Sequence, residues 1–269
     1  SGKSSVYKAL ELLTETSFTD LETSVNIFAE NDQAVVEFGF NNGQELIISS
    51  DLEDMPEHID FISGLSIFKP MLDYKKLLKI HYHSEVNGGK INLYPMLRKL
   101  LNDYPVEVSG DNITLSEIKD FNKYFQKLDE ILKEDFLKAI NDFLLKYFKS
   151  DIFIEKFEFK TEIDENSSMP VPIINLLIDY KECTINKYHT FLNEARLSAL
   201  AISIYMVAIK KLIGVLETDT LKILVLDDLL ISLDMGNRLR LLEILKNEFA
   251  DFQIFFFTHD KGLYEIYKD

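Results

Sequence analysis

Near the C-terminus, two apolar runs flank a segment of helical periodicity. Residues 221–228 form a nearly continuous aliphatic run that ends in two aspartates, and residues 252–257 form a second run. Uninterrupted apolar runs of this length are typical of strands that are buried on both faces of a parallel sheet. Because an amphipathic segment at 236–250 lies between them, the pattern predicts a strand–helix–strand unit whose two strands end at the same edge.

Shorter β-rich runs follow a helix that begins near the first residue. Residues 25–28, 34–40 and 45–49 are separated by polar turn sequences, which predicts an antiparallel meander. Residues 65–68 are predicted to be the strand that leaves this region. From Pro70 onward the pattern becomes helical.

The middle of the chain is mainly helical. Apolar residues at 115–148 recur every three or four positions, which predicts a long helical stretch. Its aromatic content favours packing onto the body of the protein, and a partner-binding protrusion is the alternative. A helix is also predicted at 93–101, strands at 151–161 and 171–180, and an Ala/Leu-rich helix at 196–215.

Composition places the chain among globular proteins. Apolar residues make up 46% and charged residues 28% of the 269 residues, enough to bury a sizeable core in one large or two modest domains. The single cysteine, Cys183, excludes a disulfide framework and a four-cysteine zinc site. No apolar run reaches the roughly 18 residues of a membrane helix, so we expect a cytoplasmic protein with no membrane partner.

The chain is strongly acidic. Its formal net charge of −16 at pH 7 argues against a broad, non-specific surface for nucleic-acid phosphates. A local basic patch is compatible with this charge, so DNA binding stays open as a hypothesis that the net charge does not support.

The first residues carry a candidate phosphate site. Gly2-Lys3-Ser4 opens the first predicted helix, as at the end of the loop G-x-x-x-x-G-K-[ST]; the loop's first glycine and preceding strand are not among these 269 residues. Main-chain N–H groups at a helix N-terminus bind anions. In this interpretation Lys3 reaches the terminal phosphates and the Ser4 hydroxyl binds Mg²⁺. The alternative is a solvated N-terminus.

Two carboxylates and a histidine follow the predicted parallel strands. Asp227 and Asp228 end the first strand, at the edge where α/β sheets bind ligands, and they point in opposite directions. One can hold a hydrated Mg²⁺ while the other faces a water molecule. His259 follows the second strand and is expected near Asp228, within reach of a γ-phosphate. The alternatives are turn-capping aspartates and a polar loop histidine.

This ordered set of motifs resembles the ATPase head of the SMC/RecF class, a branch of the ATP-binding-cassette ATPases and of the P-loop NTPases. Gly2-Lys3-Ser4-Ser5 resembles the end of the Walker A loop, and Leu224-Val225-Leu226-Asp227-Asp228 resembles Walker B. Ser232-Leu233-Asp234 resembles the D-loop, and Thr258-His259-Asp260 resembles the segment with the switch histidine. The resemblance implies an α/β fold with a mixed sheet, an antiparallel β meander and a helical lobe. It implies an ATPase lobe formed by 1–70 and 151–269, with the helical lobe at 71–150.

The resemblance also implies ligands and residue roles. ATP and Mg²⁺ are expected, with catalytic roles for Lys3, Asp228 and His259 and metal binding by Ser4 and Asp227. The expected nucleotide-binding residues are Gly2, Lys3, Ser4, Ser5, Asn193, Glu194, Arg196 and Asp234.

The signature motif is where this chain departs from the family. Alignment through the Ala/Leu-rich helix sets Glu194 at the motif's last position, so Phe191, Leu192 and Asn193 replace Ser-Gly-Gly. Asn193 is expected to cap the helix and to contact a phosphate of the ATP held by another subunit, and Arg196 to add positive charge. The alternative is that Asn193 and Glu194 merely cap a core helix.

The family also uses a glutamine, in the loop between its lobes, that senses Mg²⁺ and water. Gln33, Gln44 and Gln126 lie in predicted strands or helices, so none is assigned this role. Asp73 is the candidate replacement.

Three functions are compatible with these residues. The first is an ATP-hydrolysing switch in which two heads close around ATP as a homodimer and drive a DNA-related process, such as repair or phage defence. The second is an ATP-gated binding module with little turnover that controls a partner effector, such as a nuclease or toxin. The third is an ATPase that touches DNA directly.

Overall fold

The computed structural model describes residues 2–15, 35–49, 57–73, 92–163, 170–216, 219–229 and 233–260, together with residues 262 and 265. The predicted strand at 25–28, Gln33 and Ser232 of the D-loop segment lie outside the described residues.

The α-helices in the described ranges are α1 (Lys3–Leu12), α2 (Gly64–Phe68), α3 (Tyr94–Leu101), α4 (Phe121–Ile131), α5 (Leu137–Phe148), α6 (Tyr188–Phe191), α7 (Glu194–Gly214) and α8 (Met235–Glu248). Segments Glu57–Ile62 and Leu115–Glu117 are 3₁₀-helical, and Leu132–Phe136 is a π-helical turn between α4 and α5.

The strands in these ranges are β1 (Val35–Gly39), β2 (Glu45–Ser49), β3 (Met71–Asp73), β4 (Pro105–Val108), β5 (Asp111–Thr114), β6 (Ile152–Ile163), β7 (Pro170–Tyr180), β8 (Cys183–Ile185), β9 (Ile223–Asp227) and β10 (Gln253–Phe257). The fold is therefore a mixed α/β fold, as predicted.

A parallel sheet of order β10-β9-β3 carries the strand–helix–strand unit. The side chains of β9 from Ile223 to Leu226 are almost completely buried, as a continuous aliphatic run in a central strand requires. Both neighbours run parallel to β9, and Asp227 is in register with Phe257 on one side and Asp73 on the other. The predicted parallel pair is confirmed, and β3 adds a third strand that ends at the same edge.

The expectation of a strand at 65–68 is wrong. These residues belong to α2, and the strand is β3, in a region predicted to be helical. A four-residue apolar run has no period that distinguishes strand from helix, and Leu65 and Phe68 are three positions apart, on one face, and fully buried. A side chain at Gly64 would meet Leu216 Cδ1 at 2.9 Å, so α2 packs too closely on the segment before β9 for any larger residue.

Antiparallel pairs lie in separate sheets around this core. β1 and β2 form the predicted hairpin, with Gly43 at φ +82° in its turn. β6 and β7 form a long antiparallel pair that β8 extends. The β4–β5 hairpin and β8 were not predicted, because strands of three or four residues with several polar side chains give little periodic signal.

Helix α7 is the central helix of the molecule. It contacts α2, α3, α5 and α8, and most of its side chains are buried. The predicted stripe at 115–148 forms α4, the π-helical turn and α5, and its core-packing interpretation is confirmed by the burial of Leu128, Leu132, Phe136, Ile140 and Tyr147.

By length and composition, α7 is long and apolar enough to cross a bilayer. The expectation that no apolar segment reaches the length of a membrane helix is therefore wrong for α7. Ser198, Ser203 and Tyr205 interrupt its apolar run without adding charge. Of its most apolar window, 78% is buried inside the fold, as in the core helix of a globular protein.

Candidate active site

Helix α1 lies across the carboxyl edge of the parallel sheet. In its first turn, Lys3 Nζ donates a hydrogen bond to the main-chain carbonyl of Thr258, just after β10. One turn later, the Tyr7 hydroxyl donates to Asp73 Oδ2 at 3.2 Å, at the end of β3. The helix also contacts β9, which lies between those two strands. It therefore spans the edge at which all three strands end.

Three predicted catalytic side chains meet at this edge. Lys3 Nζ lies 3.2 Å from His259 Nδ1, and His259 Nε2 lies 3.3 Å from Asp228 Oδ2. The histidine side chain is 63% exposed, whereas that of Asp228 is only 20% exposed. The histidine thus faces solvent, where a ligand would enter, and the carboxylate lies deeper.

Asp228 is held in an unusual conformation. Its φ of 47° is in the left-handed region, which residues other than glycine rarely adopt, while its N–H donates to the Phe257 carbonyl at 3.0 Å. Oδ1 of the same side chain is buried, and none of the residues that the structure describes forms a hydrogen bond with it. Backbone strain and an unsatisfied buried oxygen both cost free energy, and such costs concentrate at functional sites.

Asp227 lies in an electrostatically unfavourable place for a carboxylate. Burial raises its pKa above the ordinary value, and the neighbouring carboxylates of Asp228 and Asp73 raise it further. The positive charges that His259 and Lys3 can carry act in the opposite direction. A bound cation would relieve this repulsion between carboxylates.

The residues at this edge fit a magnesium ion that arrives with a phosphate ligand. Within the described ranges, no group of three or more His, Cys, Asp or Glu side chains is arranged to hold a metal by itself. Mg²⁺ needs no such cage, because it keeps several waters and binds through one or two carboxylates and the phosphates of its nucleotide. Asp228 Oδ1, which has no hydrogen-bond partner within the described ranges, is an acceptor that a water molecule can use.

The start of α1 provides N–H donors beside these carboxylates. The first main-chain hydrogen bond there runs from Val6 N to Gly2 O at 3.1 Å, so the N–H groups of the preceding residues have no partner within the helix. Ser4 and Ser5 are exposed in this turn, and no atom of the described residues beyond its chain neighbours lies within 4 Å of a Cβ built at Gly2.

The signature-like residues form a second cluster with different contacts. Asn193 Oδ1 accepts a hydrogen bond from Arg196 N at 3.0 Å and so caps α7, as predicted. The Arg196 guanidinium pairs with Asp151 at 2.9 Å and lies 5.3 Å from the centre of the Tyr180 ring. Glu194 is exposed in the first helical turn. The structure thus contains the capping arrangement of the alternative interpretation.

A polar, open cavity of about 450 Å³ lies beside this cluster. Asn193, Arg196, Lys149 and Asn237 are among its lining residues. Asn237 is buried and donates from Nδ2 to the Ala195 carbonyl at 2.8 Å, which joins α8 to the start of α7.

Asp234 acts as a helix cap in this structure. Its Oδ1 accepts a hydrogen bond from Asn237 N at 2.7 Å, and the residue is exposed at the start of α8. The structure shows this capping contact and no nucleotide contact, so the predicted nucleotide role of Asp234 stays a prediction.

Tyr7 and Arg238 lie outside the predicted set of site residues. Arg238 Nε donates to the Leu233 carbonyl at 2.9 Å, and its Nη1 pairs with Asp260 Oδ2 at 2.6 Å, so it ties the D-loop segment to the residue after His259. Each lies four positions after a motif residue, on the same helix face, and this spacing is the signal that identifies both.

No family model matches this chain, and a search of curated proteins found no match. Among solved structures, RecF-ATPrS, the recombination mediator protein in the RecFOR pathway, is similar at 15% identity and a TM-score of 0.46; the match covers 97% of this chain and 84% of that chain. An Smc head bound to the C-winged helix domain of ScpA is similar at 11% identity and a TM-score of 0.42.

The match with the Smc head covers 87% of this chain but only 62% of that chain, so the present chain spans less than two thirds of it. Both neighbours are of the SMC/RecF class that the motifs resemble. The likeness is one of overall fold, and at these values it assigns no activity and no residue role.

Proposed function

We propose that this protein is an ATP-binding and ATP-hydrolysing head of the SMC/RecF type. The observation that carries the proposal is the chain of contacts from Lys3 through His259 to Asp228, at the edge where Asp227 also ends its strand. A lysine in the first turn of a helix, beside carboxylates at the ends of parallel strands, supplies both the cation and the metal ligands that a magnesium–triphosphate requires.

Each residue has a distinct proposed role. Lys3 and the N–H groups at the start of α1, from Gly2 to Ser5, bind the phosphates, and the Ser4 hydroxyl and Asp227 hold Mg²⁺. Asp228 orients a water and accepts its proton as the water oxygen bonds to the γ-phosphorus and the bond to the ADP oxygen breaks. His259 donates a hydrogen bond to the γ-phosphate as charge develops. Mg²⁺, when bound, neutralises phosphate charge.

We also propose that ATP closes two copies into a homodimer. Asn193, Glu194, Arg196 and Asp234 then contact the nucleotide held by the other copy. The polar cavity beside the start of α7 supports this proposal, because main-chain N–H groups at a helix N-terminus bind anions. Mass measurement with and without ATP tests this: Asp228→Asn is expected to accumulate as an ATP-bound dimer, and Arg196→Ala to remain monomeric.

The activity is tested with two variants and their matched controls. Lys3→Ala is expected to weaken ATP binding at least about 10-fold, because a charge-assisted phosphate contact is lost. Lys8→Ala removes an exposed lysine from the same helix and is the control. Asp228→Asn is expected to retain ATP binding while phosphate release falls about 10²-fold or more. Unchanged binding and turnover in both site variants would contradict the proposal.

An ATP-gated binding module with little turnover is the second candidate. The ion pair between Arg196 and Asp151 favours it, because this arginine is engaged within its own chain and not available to another copy's nucleotide unless the pair opens. The partner would then be an effector such as a nuclease or toxin. Tight ATP binding with steady-state phosphate release near background would support gating over an ATP-driven cycle.

For the cellular role, we propose a cytoplasmic ATPase in a DNA-related process, repair or phage defence, with an ATPase lobe formed by 1–70 and 151–269 and a helical lobe at 71–150. Direct DNA contact is the less favoured form, because the net charge is −16. An ATP-dependent mobility shift that weakens steeply with salt would support direct contact, and its absence at low salt would exclude it.

A further inference from the structure

The roles proposed above leave one polar contact at the sheet edge unexplained. Lys3 and Tyr7 are four positions apart and lie on the same face of α1. Lys3 reaches the end of β10, whereas the Tyr7 hydroxyl donates to Asp73 Oδ2 at the end of β3. One helix face thus contacts both outer strands, on either side of Asp227.

Tyr7 is a partly buried hydrogen-bond donor to Asp73. Burial of the phenol raises its pKa well above the ordinary value, and the Asp73 carboxylate raises it further. A carboxylate that accepts from such a donor is fixed in its orientation, because one of its oxygens is engaged.

Asp73 lies directly beside Asp227. The two residues are register partners in adjacent parallel strands, and each is the last residue of its strand. Neighbouring strands are about 4.8 Å apart, and register partners in a parallel pair project to the same face of the sheet. Asp73 therefore flanks the carboxylate to which we assign the metal.

We propose that Tyr7 is a positioning residue that holds Asp73 beside Asp227, so that both carboxylates bind the water shell of the same Mg²⁺. The inference rests on the proposed function and extends it to Tyr7, which lies outside the motifs and acts through Asp73, the candidate replacement for the family's glutamine. Mg²⁺ keeps several of its waters in protein sites, so a carboxylate can act on it through those waters. Residues that orient metal ligands in this way change metal affinity about 10–100-fold when they are removed.

The test uses calorimetry to measure how ATP binding by the Tyr7→Phe variant depends on the Mg²⁺ concentration. We expect the Mg²⁺ concentration for half-maximal ATP affinity to rise about 10-fold or more. ATP affinity in EDTA should stay at the wild-type level, because the Lys3 contact is intact. Tyr104→Phe is the matched control, since its hydroxyl also donates to a carboxylate, Asp135 Oδ2, at 2.9 Å. It should leave the Mg²⁺ midpoint unchanged.

A double-mutant cycle separates positioning from a purely structural role. In an Asp73→Asn background, Tyr7→Phe should cause no further shift in the Mg²⁺ midpoint, since Tyr7 acts through Asp73. A wild-type midpoint in Tyr7→Phe, or an equal shift in Tyr104→Phe, would overturn the inference and leave the proposed function standing. If the wild-type protein binds no ATP at any Mg²⁺ concentration, both this inference and the proposed function are wrong.

Discussion

Lys3 Nζ lies 3.2 Å from Nδ1 of His259, although the two residues are 256 positions apart in the chain. The other ring nitrogen of His259 lies 3.3 Å from Asp228. Contacts through both nitrogens orient the imidazole before any ligand binds, and such preorganisation lowers the cost of stabilising charge in a transition state.

His259→Ala is therefore expected to lower phosphate release about 10²-fold while ATP affinity changes no more than about 3-fold. The reason is that the histidine acts on developing charge and Lys3 provides the ground-state phosphate contact. Calorimetry and a phosphate-release assay measure the two effects separately. Equal losses of affinity and turnover would instead make His259 a ground-state binding residue.

Asp227→Asn is expected to raise the melting temperature of the ligand-free protein at pH 7. Burial and the neighbouring carboxylates of Asp228 and Asp73 raise the pKa of Asp227 in the folded state, so ionisation of this side chain lowers stability as pH rises from 3.8 through the folded pKa. The amide that replaces the carboxylate carries no charge and so removes this destabilisation, but we expect the variant to lose Mg²⁺-dependent ATP binding. The substitution would then raise stability and lower function.

Asp251→Asn is the control for the sign of that effect. The pKa of Asp251 is lowered, first by its hydrogen bond with Lys222, so its ionised form is favoured in the folded state. We expect this substitution to lower the melting temperature slightly. A rise in both variants would show that loss of negative charge alone, and not the surroundings of Asp227, is responsible.

We expect Glu248 to contribute to the loss of stability at acidic pH. Burial by itself raises its pKa, but hydrogen bonds from Lys146, Lys210 and Tyr147 outweigh burial and lower the pKa to about 2. A lowered pKa contributes stability above the ordinary value of 4.5, and this contribution is lost as pH falls from 4.5 to about 2. Glu248→Gln should therefore be less stable at pH 7 and show a flatter decline with acid.

Chemical denaturation from pH 7 to pH 2 measures this difference. Glu243→Gln, which removes an exposed carboxylate 3.2 Å from Arg240 on the same helix, should follow the wild-type curve. Parallel acid limbs for Glu248→Gln and the wild type would contradict the assignment.

Gly64→Ala should lower the free energy of unfolding by about 1–3 kcal/mol, because a new methyl group would clash with Leu216 and Thr220. Gly214→Ala, which places a methyl group in open space at the end of α7, should leave stability unchanged or raise it by up to about 1 kcal/mol. Denaturant titration of both variants measures the difference, and equal stabilities would contradict the close packing of α2.

Strong local signals were predicted correctly from the sequence. The run at 221–228 is aliphatic at nearly every position, and only a central strand buries both faces in this way, so β9 and its neighbour β10 followed directly. The Asn193 cap was equally local, because a capping side chain bonds within three residues. The types of the short elements α2 and β3 were predicted wrongly. They have five and three residues, and such lengths contain too few repeats to distinguish a helical period from a strand period.

The sequence by itself determined the types of the long elements and the identities of the charged groups that follow them, because periodicity and capping depend on neighbours within a few positions. Only the tertiary structure decided which of those groups meet. The crossing of α1 over the sheet edge, the left-handed Asp228 and the pairing of Tyr7 with Asp73 arise from packing between segments far apart in the chain. The bond between Tyr7 and Asp73 depends on β3 lying next to β9, and no local pattern encodes that neighbour.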